Sequence, residues 1–186
     1  MHSGLFYAFG AALLFSFKPV LVKLIYVYDL NTITVLAWRM LLSFPVYLVI
    51  GILLYRRLRL SGEQLDGKLV MRALLVGLLG YYLASLFDLL GLQTVTAQLE
   101  RLILFTYPTW VAVFAWLLLG QAISRRILYA LIVSYTGIAV IFISDWQQLG
   151  DDVWVGATWI VLSALSFSLY LVLAKSSIDR LGASAF

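Results

Sequence analysis

AALLFSFKPVLVK, residues 11–23, and SALSFSLYLVLAK, residues 163–175, align without gaps at a constant offset of 152 positions. Seven of the thirteen positions are identical, and the shared residues include a serine and a lysine as well as leucines. Apolar helices share leucine by chance, but a fixed register that includes polar residues indicates an internal repeat. We therefore expect a structural unit that starts again near residue 153, barely one helix before the sequence ends at Phe186.

The composition is typical of an integral membrane protein. Hydrophobic residues make up 63% of the 186 residues and charged residues only 12%, and the mean hydropathy is +1.01, far from the mix of a soluble domain. A helix needs about 20 apolar residues to cross a bilayer. The apolar runs predict spans at residues 4–27, 33–55, 73–92, 99–120, 127–144 and 153–174. The first run lacks a short core with a cleavage site, so we expect a retained helix and not a signal peptide.

The distribution of cations predicts the orientation in the membrane. Five Lys or Arg residues lie in the second link, two in the fourth and two after the sixth span, while the first, third and fifth links have none. The positive-inside rule then places the N-terminus in the cytoplasm of a multi-pass protein of the cell (inner) membrane. The same rule accounts for the basic pI of about 9.4, so no nucleic-acid partner is expected.

The repeat and the topology together predict the fold. Five spans per repeat is an odd number, so a second copy enters the membrane from the opposite side, as in transporters built from inverted repeats. We predict an all-α polytopic membrane helix bundle, with a five-helix repeat in residues 1–145. Residues 146–186 would hold the first helix of the second repeat and the approach to a seventh helix, giving about six transmembrane helices of an expected ten.

Charged residues inside the predicted spans are the main candidates for function. Each costs about 2.5–3.5 kcal/mol on insertion and usually faces a cavity or a partner. The six are Lys18, Lys23, Arg39, Asp88, Glu100 and Arg101. At 1.5 Å per residue, Lys18 lies about 15 Å from the outer end of its helix and Arg39 about 10 Å below the outer surface. Four cations against two carboxylates favour a substrate that bears a carboxylate or phosphate.

Substrate contact is predicted for Lys18 and Arg39, with Asp88 and Glu100 as charge partners or coupling groups. Internal pairing, such as Asp88 with Arg39 or with Lys18, explains much of the same pattern without a substrate. Three aromatic residues complete the candidate binding set as cavity-lining side chains: Tyr82, Tyr107 and Trp110. Packing and interfacial anchoring are the alternative roles for such aromatics.

Enzymatic chemistry has no support in the sequence. Cysteine is absent and the single histidine is His2, so no His–carboxylate dyad and no His- or Cys-based metal site can be assembled. There is no glycine-rich phosphate loop, so ion-coupled or facilitated movement is expected and no cofactor. All three prolines, Pro19, Pro45 and Pro108, fall within predicted spans, where the loss of a backbone donor favours kinks and a moving bundle.

Several motifs resemble the EamA-type members of the drug/metabolite transporter superfamily. They are AWRMLLSFPVYL (37–48), ERLILFTYPTWVAVFAWLLLGQ (100–121), LYALIVSYTGIAVIFIS (128–144) and WVGATWIVLSALSFSLYLVLAK (154–175). The resemblance implies two inverted five-helix repeats around a central cavity, and transport of amino acids, other metabolites or drugs, often outward. The fourth helix of the family typically ends in Gly-Glu, where this chain has Gly120 and Gln121.

Two functions follow as expectations. The first is transmembrane transport of a small solute by alternating access, with the lipid bilayer and a small-molecule substrate as partners. The alternative is a non-transporting scaffold or regulatory subunit, because an incomplete bundle needs a second copy or another chain to cover its inward-facing charges.

Overall fold

The computed structural model describes residues 2–60, 67–120 and 125–181, and all regular structure in those ranges is helical. A π-helical segment, Leu78–Leu83, joins α3 to α4. The helices in chain order are α1 (His2–Tyr26), α2 (Thr32–Leu60), α3 (Gly67–Gly77), α4 (Ala84–Gly91), α5 (Ala97–Leu104), α6 (Tyr107–Leu119), α7 (Arg125–Leu149) and α8 (Asp152–Leu181).

These helices form six long segments, which confirms the predicted all-helical membrane bundle. Four stretches among the described residues are long and apolar enough to cross a bilayer: Thr32–Leu53, Val70–Gly91, Ala97–Leu119 and Asp152–Lys175. The other two segments are α1 and α7, of 25 residues each, which at 1.5 Å per residue are about 37 Å long.

Four helix ends differ from the expected boundaries by five residues or more. Helix α3 begins early, at Gly67, and α8 continues to Leu181. The second helix continues past residue 55 to Leu60, because the basic run after the span can extend a helix into water. The link expected at residues 145–152 shrinks to two residues, since α7 continues to Leu149 and α8 begins at Asp152. Gly150, with φ of +71°, makes this turn in the left-handed region that glycine tolerates. Gln121, where the family pattern has Glu, lies outside the described residues.

The third and fourth spans are both irregular. The fourth divides into α5 and α6 at Phe105 and Thr106, directly before Pro108, whose missing N–H cannot bond to the carbonyl four residues earlier. Thr106 instead donates its hydroxyl to the Ile103 carbonyl at 2.7 Å. In the third span, the π-helical segment shifts the backbone hydrogen bonding, so that the Ala84 N–H donates to the Leu79 carbonyl five residues earlier.

Helix α8 packs against both irregular spans. Ser163 and Ser166 donate their hydroxyls to the carbonyls of Ala84 (2.7 Å) and Leu79 (2.8 Å). Ser168 donates to the carbonyl of Tyr107 at 2.9 Å. A buried apolar core lies along the same interface and contains Val95, Leu99, Ile103, Leu104, Val153, Ala157, Ile160 and Ala164. Because lipid cannot satisfy freed backbone groups, serine donors from a neighbouring helix stabilise the irregular backbone.

The backbones of α4 and α8 touch where two glycines face each other. A Cβ added at Gly156 would lie 2.8 Å from the Gly91 carbonyl oxygen, and one added at Gly91 would lie 2.8 Å from the Gly156 carbonyl oxygen. Both distances are too short for any real side chain. The helices can therefore approach this closely only because both positions are glycine.

Candidate functional site

A cavity of about 500 Å³ lies between α1 and α2. Its wall is mostly aliphatic, with Lys18, Thr34 and Arg39 as the polar side chains and Trp38 as the aromatic one. The lining residues are Lys18, Leu21, Val22, Ile25, Leu30, Thr34, Val35, Trp38, Arg39 and Leu42. The volume lies within the range of ligand pockets, about 300–1,000 Å³.

Hydrogen bonds connect the C-terminal ends of α1 and α4 to the N-terminal end of α2 beside this cavity. Tyr26 donates its hydroxyl to the Leu89 carbonyl at 2.8 Å and lies 3.1 Å from the Thr32 hydroxyl. Gln93 donates its amide to that hydroxyl at 2.7 Å. An apolar cluster of Val22, Val35, Leu36, Leu89 and Leu92 packs beneath them. Asp29, with φ of 54°, makes the tight turn between the two helices.

Lys18 connects the cavity to a buried group of charges. Its ammonium forms an ion pair and a hydrogen bond with the Asp88 carboxylate on α4. The Lys18 side chain is 20% exposed and that of Asp88 only 2%. This is one of the two internal pairings that the sequence left open. Lys18 therefore both lines the cavity and compensates a carboxylate that water does not reach.

Glu100 extends this group of charges into α5. The residue is fully buried and lies beside Asp88. Arg101 forms an ion pair with it, and the Arg101 Nε lies 3.4 Å from Glu100 Oε2. Two cations and two carboxylates thus lie together, and we call Lys18, Asp88, Glu100 and Arg101 the charge cluster. A buried carboxylate is very costly without a compensating cation. With all four groups ionised, the cluster is formally neutral.

Arg39 reaches the cavity from α2. Its Nη1 is buried and makes no hydrogen bond, and within the described ranges its guanidinium has no carboxylate in ion-pair contact. A buried donor without an acceptor costs free energy. Arg39 is therefore a cation of the membrane interior whose charge is not balanced by the charge cluster.

The structure separates the candidate residues into two sets. Lys18 and Arg39 line the cavity, and Asp88 and Glu100 lie behind Lys18. The aromatic candidates do not line it. Tyr82 is exposed on the third span, while Tyr107 and Trp110 pack against the core beside α8. Tyr107 makes an edge contact with Phe167 at a centroid distance of 5.5 Å.

Thr34 and Trp38 were not singled out from the sequence, although a helical period would have found them. On α2 the cavity residues 34, 35, 38, 39 and 42 follow the spacing of one helix face, and on α1 residues 18, 21, 22 and 25 do the same. Extending each face from its charged residue, Lys18 or Arg39, identifies most of the wall. Among the described residues, no group of three or more His, Cys, Asp or Glu side chains could hold a metal ion.

Comparison with known proteins gives the family. The EamA-like transporter family matches residues 2–143. The chain is also similar to "Uncharacterized transporter YcbK" of Bacillus subtilis (strain 168), with 29% identity over 169 residues. That match covers 90% of this chain and 53% of the relative, so the chain spans about half of the relative's length. No solved structure matches. With a matching family over most of its length and a bundle of membrane-length helices, this multi-pass membrane protein belongs to the EamA-like transporter family, whose members are transporters and not enzymes.

Proposed function

We propose that the chain provides the substrate cavity of a secondary carrier that moves a small metabolite, amino acid or drug-like solute out of the cell. The observation that supports this proposal is the cavity between α1 and α2, where two cations and one threonine lie in a mostly apolar wall. Such charges are costly in a bilayer and usually mark a substrate or ion path. Family membership supports transport in general.

Alternating access between two inverted repeats is the proposed mechanism. The repeat at residues 163–175 falls in α8, which would open a second copy of the unit that begins with α1. In such carriers the substrate lies near the midplane, and one repeat rocks against the other. Lys18 and Arg39 would hold the substrate, and Asp88 and Glu100 would act as charge partners or coupling groups.

Transport is tested by a search that requires no prior substrate. Vesicles containing the intact protein are loaded with a size-filtered extract of cell metabolites, and mass spectrometry follows which solutes leave. We expect a discrete group of solutes to leave faster than from protein-free vesicles. If no solute leaves faster and the protein purifies with a stoichiometric partner, the scaffold function replaces this proposal.

The proposed orientation, with the N-terminus in the cytoplasm, predicts the labelling of single cysteines. The sequence has no cysteine, so one can be added without removing others. Tyr28→Cys in the first link, where Tyr28 is 80% exposed, should react with a membrane-impermeant maleimide in intact cells. Arg56→Cys, at the other end of α2, should react only after permeabilisation. The reverse pattern would invert the topology.

A further inference from the structure

We infer that the cavity between α1 and α2 binds a monoanionic organic acid that lacks an ammonium group, with Arg39 as the anchor for its carboxylate. The inference rests on the proposed transport function and adds the class of substrate. It follows from the balance of charges around the cavity, the state of the Arg39 donor and the character of the wall.

The ion pairs near the cavity do not include Arg39. Lys18 is paired with Asp88, and Glu100 with Arg101. Counted with all four groups ionised, these pairs cancel in net charge, and Arg39 has no ion-pair partner among the described residues. A single unbalanced cation in a medium of low dielectric favours a ligand with one negative charge. A dianion would need Lys18 as its second partner and would have to take it from Asp88.

The Arg39 guanidinium has the shape to bind a carboxylate. A guanidinium offers a planar fork that matches a carboxylate in a bidentate arrangement, and such charge-assisted hydrogen bonds are the strong ones. Arg39 Nη1 is buried without an acceptor, so a ligand carboxylate would supply the missing partner. The Arg39 side chain also lines the cavity, so a ligand bound there contacts the side chain that holds this donor.

The wall then selects the rest of the ligand. Leu21, Val22, Ile25 and Leu42 present aliphatic surface, and Trp38 precedes Arg39 on the same helix face. An apolar or aromatic body gains from contact with such a wall. A small hydrophilic acid would leave most of this surface without a matching partner.

The same wall rejects a zwitterion. An α-amino acid bound through its carboxylate at Arg39 would bring its ammonium group into this cavity. The described lining residues include no Asp or Glu but do include a second cation, Lys18. Asp88, the nearest carboxylate to Lys18, is buried behind it and already paired. The cavity would therefore discriminate against zwitterions through repulsion between the ligand ammonium and Lys18, in addition to attracting the carboxylate through Arg39.

Three probes that share a phenyl group but differ in charge test this preference. Phenylpyruvate is a monoanion, phenylalanine is a zwitterion and phenethylamine is a cation. Binding to the intact protein in lipid nanodiscs is measured by calorimetry. We expect phenylpyruvate to bind at least tenfold more tightly than either of the others. Arg39→Gln should weaken phenylpyruvate at least tenfold, and Arg39→Lys should weaken it less because the charge remains.

Arg56→Gln is the matched control. It removes the same charge from the same helix, 17 positions and about 25 Å from Arg39, and should leave binding unchanged. Equal or tighter binding of phenylalanine or phenethylamine overturns the inference, as does absence of phenylpyruvate binding. The binding assay does not depend on transport. Phenylpyruvate binding without solute release from vesicles would therefore contradict only the proposed transport function. Release of zwitterions without phenylpyruvate binding would contradict only the inferred substrate class.

Discussion

Replacing Lys18 with methionine is expected to abolish solute release from vesicles and to lower the free energy of unfolding by about 3 kcal/mol. The loss of stability follows because Asp88 is buried and would keep its carboxylate beside Glu100 without a paired cation. The loss of transport follows because Lys18 also lines the cavity. Thermal unfolding in nanodiscs measures the first effect, and the vesicle assay measures the second.

A double variant separates the two roles of Lys18. Lys18→Met with Asp88→Asn removes one charge of each sign, so the remaining pair of Glu100 and Arg101 stays balanced. We expect this variant to regain most of the lost stability but not transport. Lys23→Met, on the same helix and outside the cavity lining, should transport normally. Wild-type release by the double variant would make the ion pair purely structural and remove Lys18 from the proposed site.

The helices could be predicted from the sequence because bilayer thickness imposes a length on every apolar run. The predicted helix boundaries were wrong beyond the hydrocarbon layer, where bilayer thickness no longer limits helix length. Helix α2 extends into its basic link, and the fifth link is a two-residue turn, since a helix that has left the hydrocarbon can continue for as long as its residues favour it. Pro108 correctly predicted a disturbance, and the outcome is a break between α5 and α6.

The candidate site was only partly predictable, for a reason tied to tertiary contact. Lys18 and Arg39 stand out because charge is rare and costly inside a membrane. Which carboxylate pairs with which cation depends on the relative rotation of α1, α2 and α4, which hydropathy does not determine. The separation of Tyr82, Tyr107 and Trp110 from the cavity has the same origin, because aromatic residues suit lipid, core and cavity alike.

The π-helical segment in the third span and its serine partners had no sequence signal. Residues 78–83 contain no proline, and the serines of α8 resemble ordinary membrane-helix residues. Ser166 donates to the Leu79 carbonyl across a sequence distance of 87 residues. Such an arrangement depends on α8 lying close to the third span, which in turn depends on the contact between Gly91 and Gly156.

The contact between Gly91 and Gly156 should not tolerate a larger side chain. Gly156→Leu is expected to lower the free energy of unfolding by about 3 kcal/mol. A Cβ at this position would lie 2.3 Å from Thr94 Oγ1, 2.7 Å from Val95 Cγ1 and 2.8 Å from the Gly91 carbonyl oxygen. The backbone oxygen cannot move aside without moving α4, so the helices must separate. Thermal unfolding and the monodisperse fraction on gel filtration report the loss.

Gly137→Leu is the matched control, because Gly137 lies on α7 with no atom within 4 Å of an added Cβ. It should unfold as the wild type does. Gly156→Ala should fall between the two, since the methyl group meets the same atoms but extends no further. Separation of α8 would also break the hydrogen bonds from Ser163 and Ser166, leaving the carbonyls of Ala84 and Leu79 without a side-chain donor. Wild-type stability of Gly156→Leu would contradict the close packing of α4 on α8.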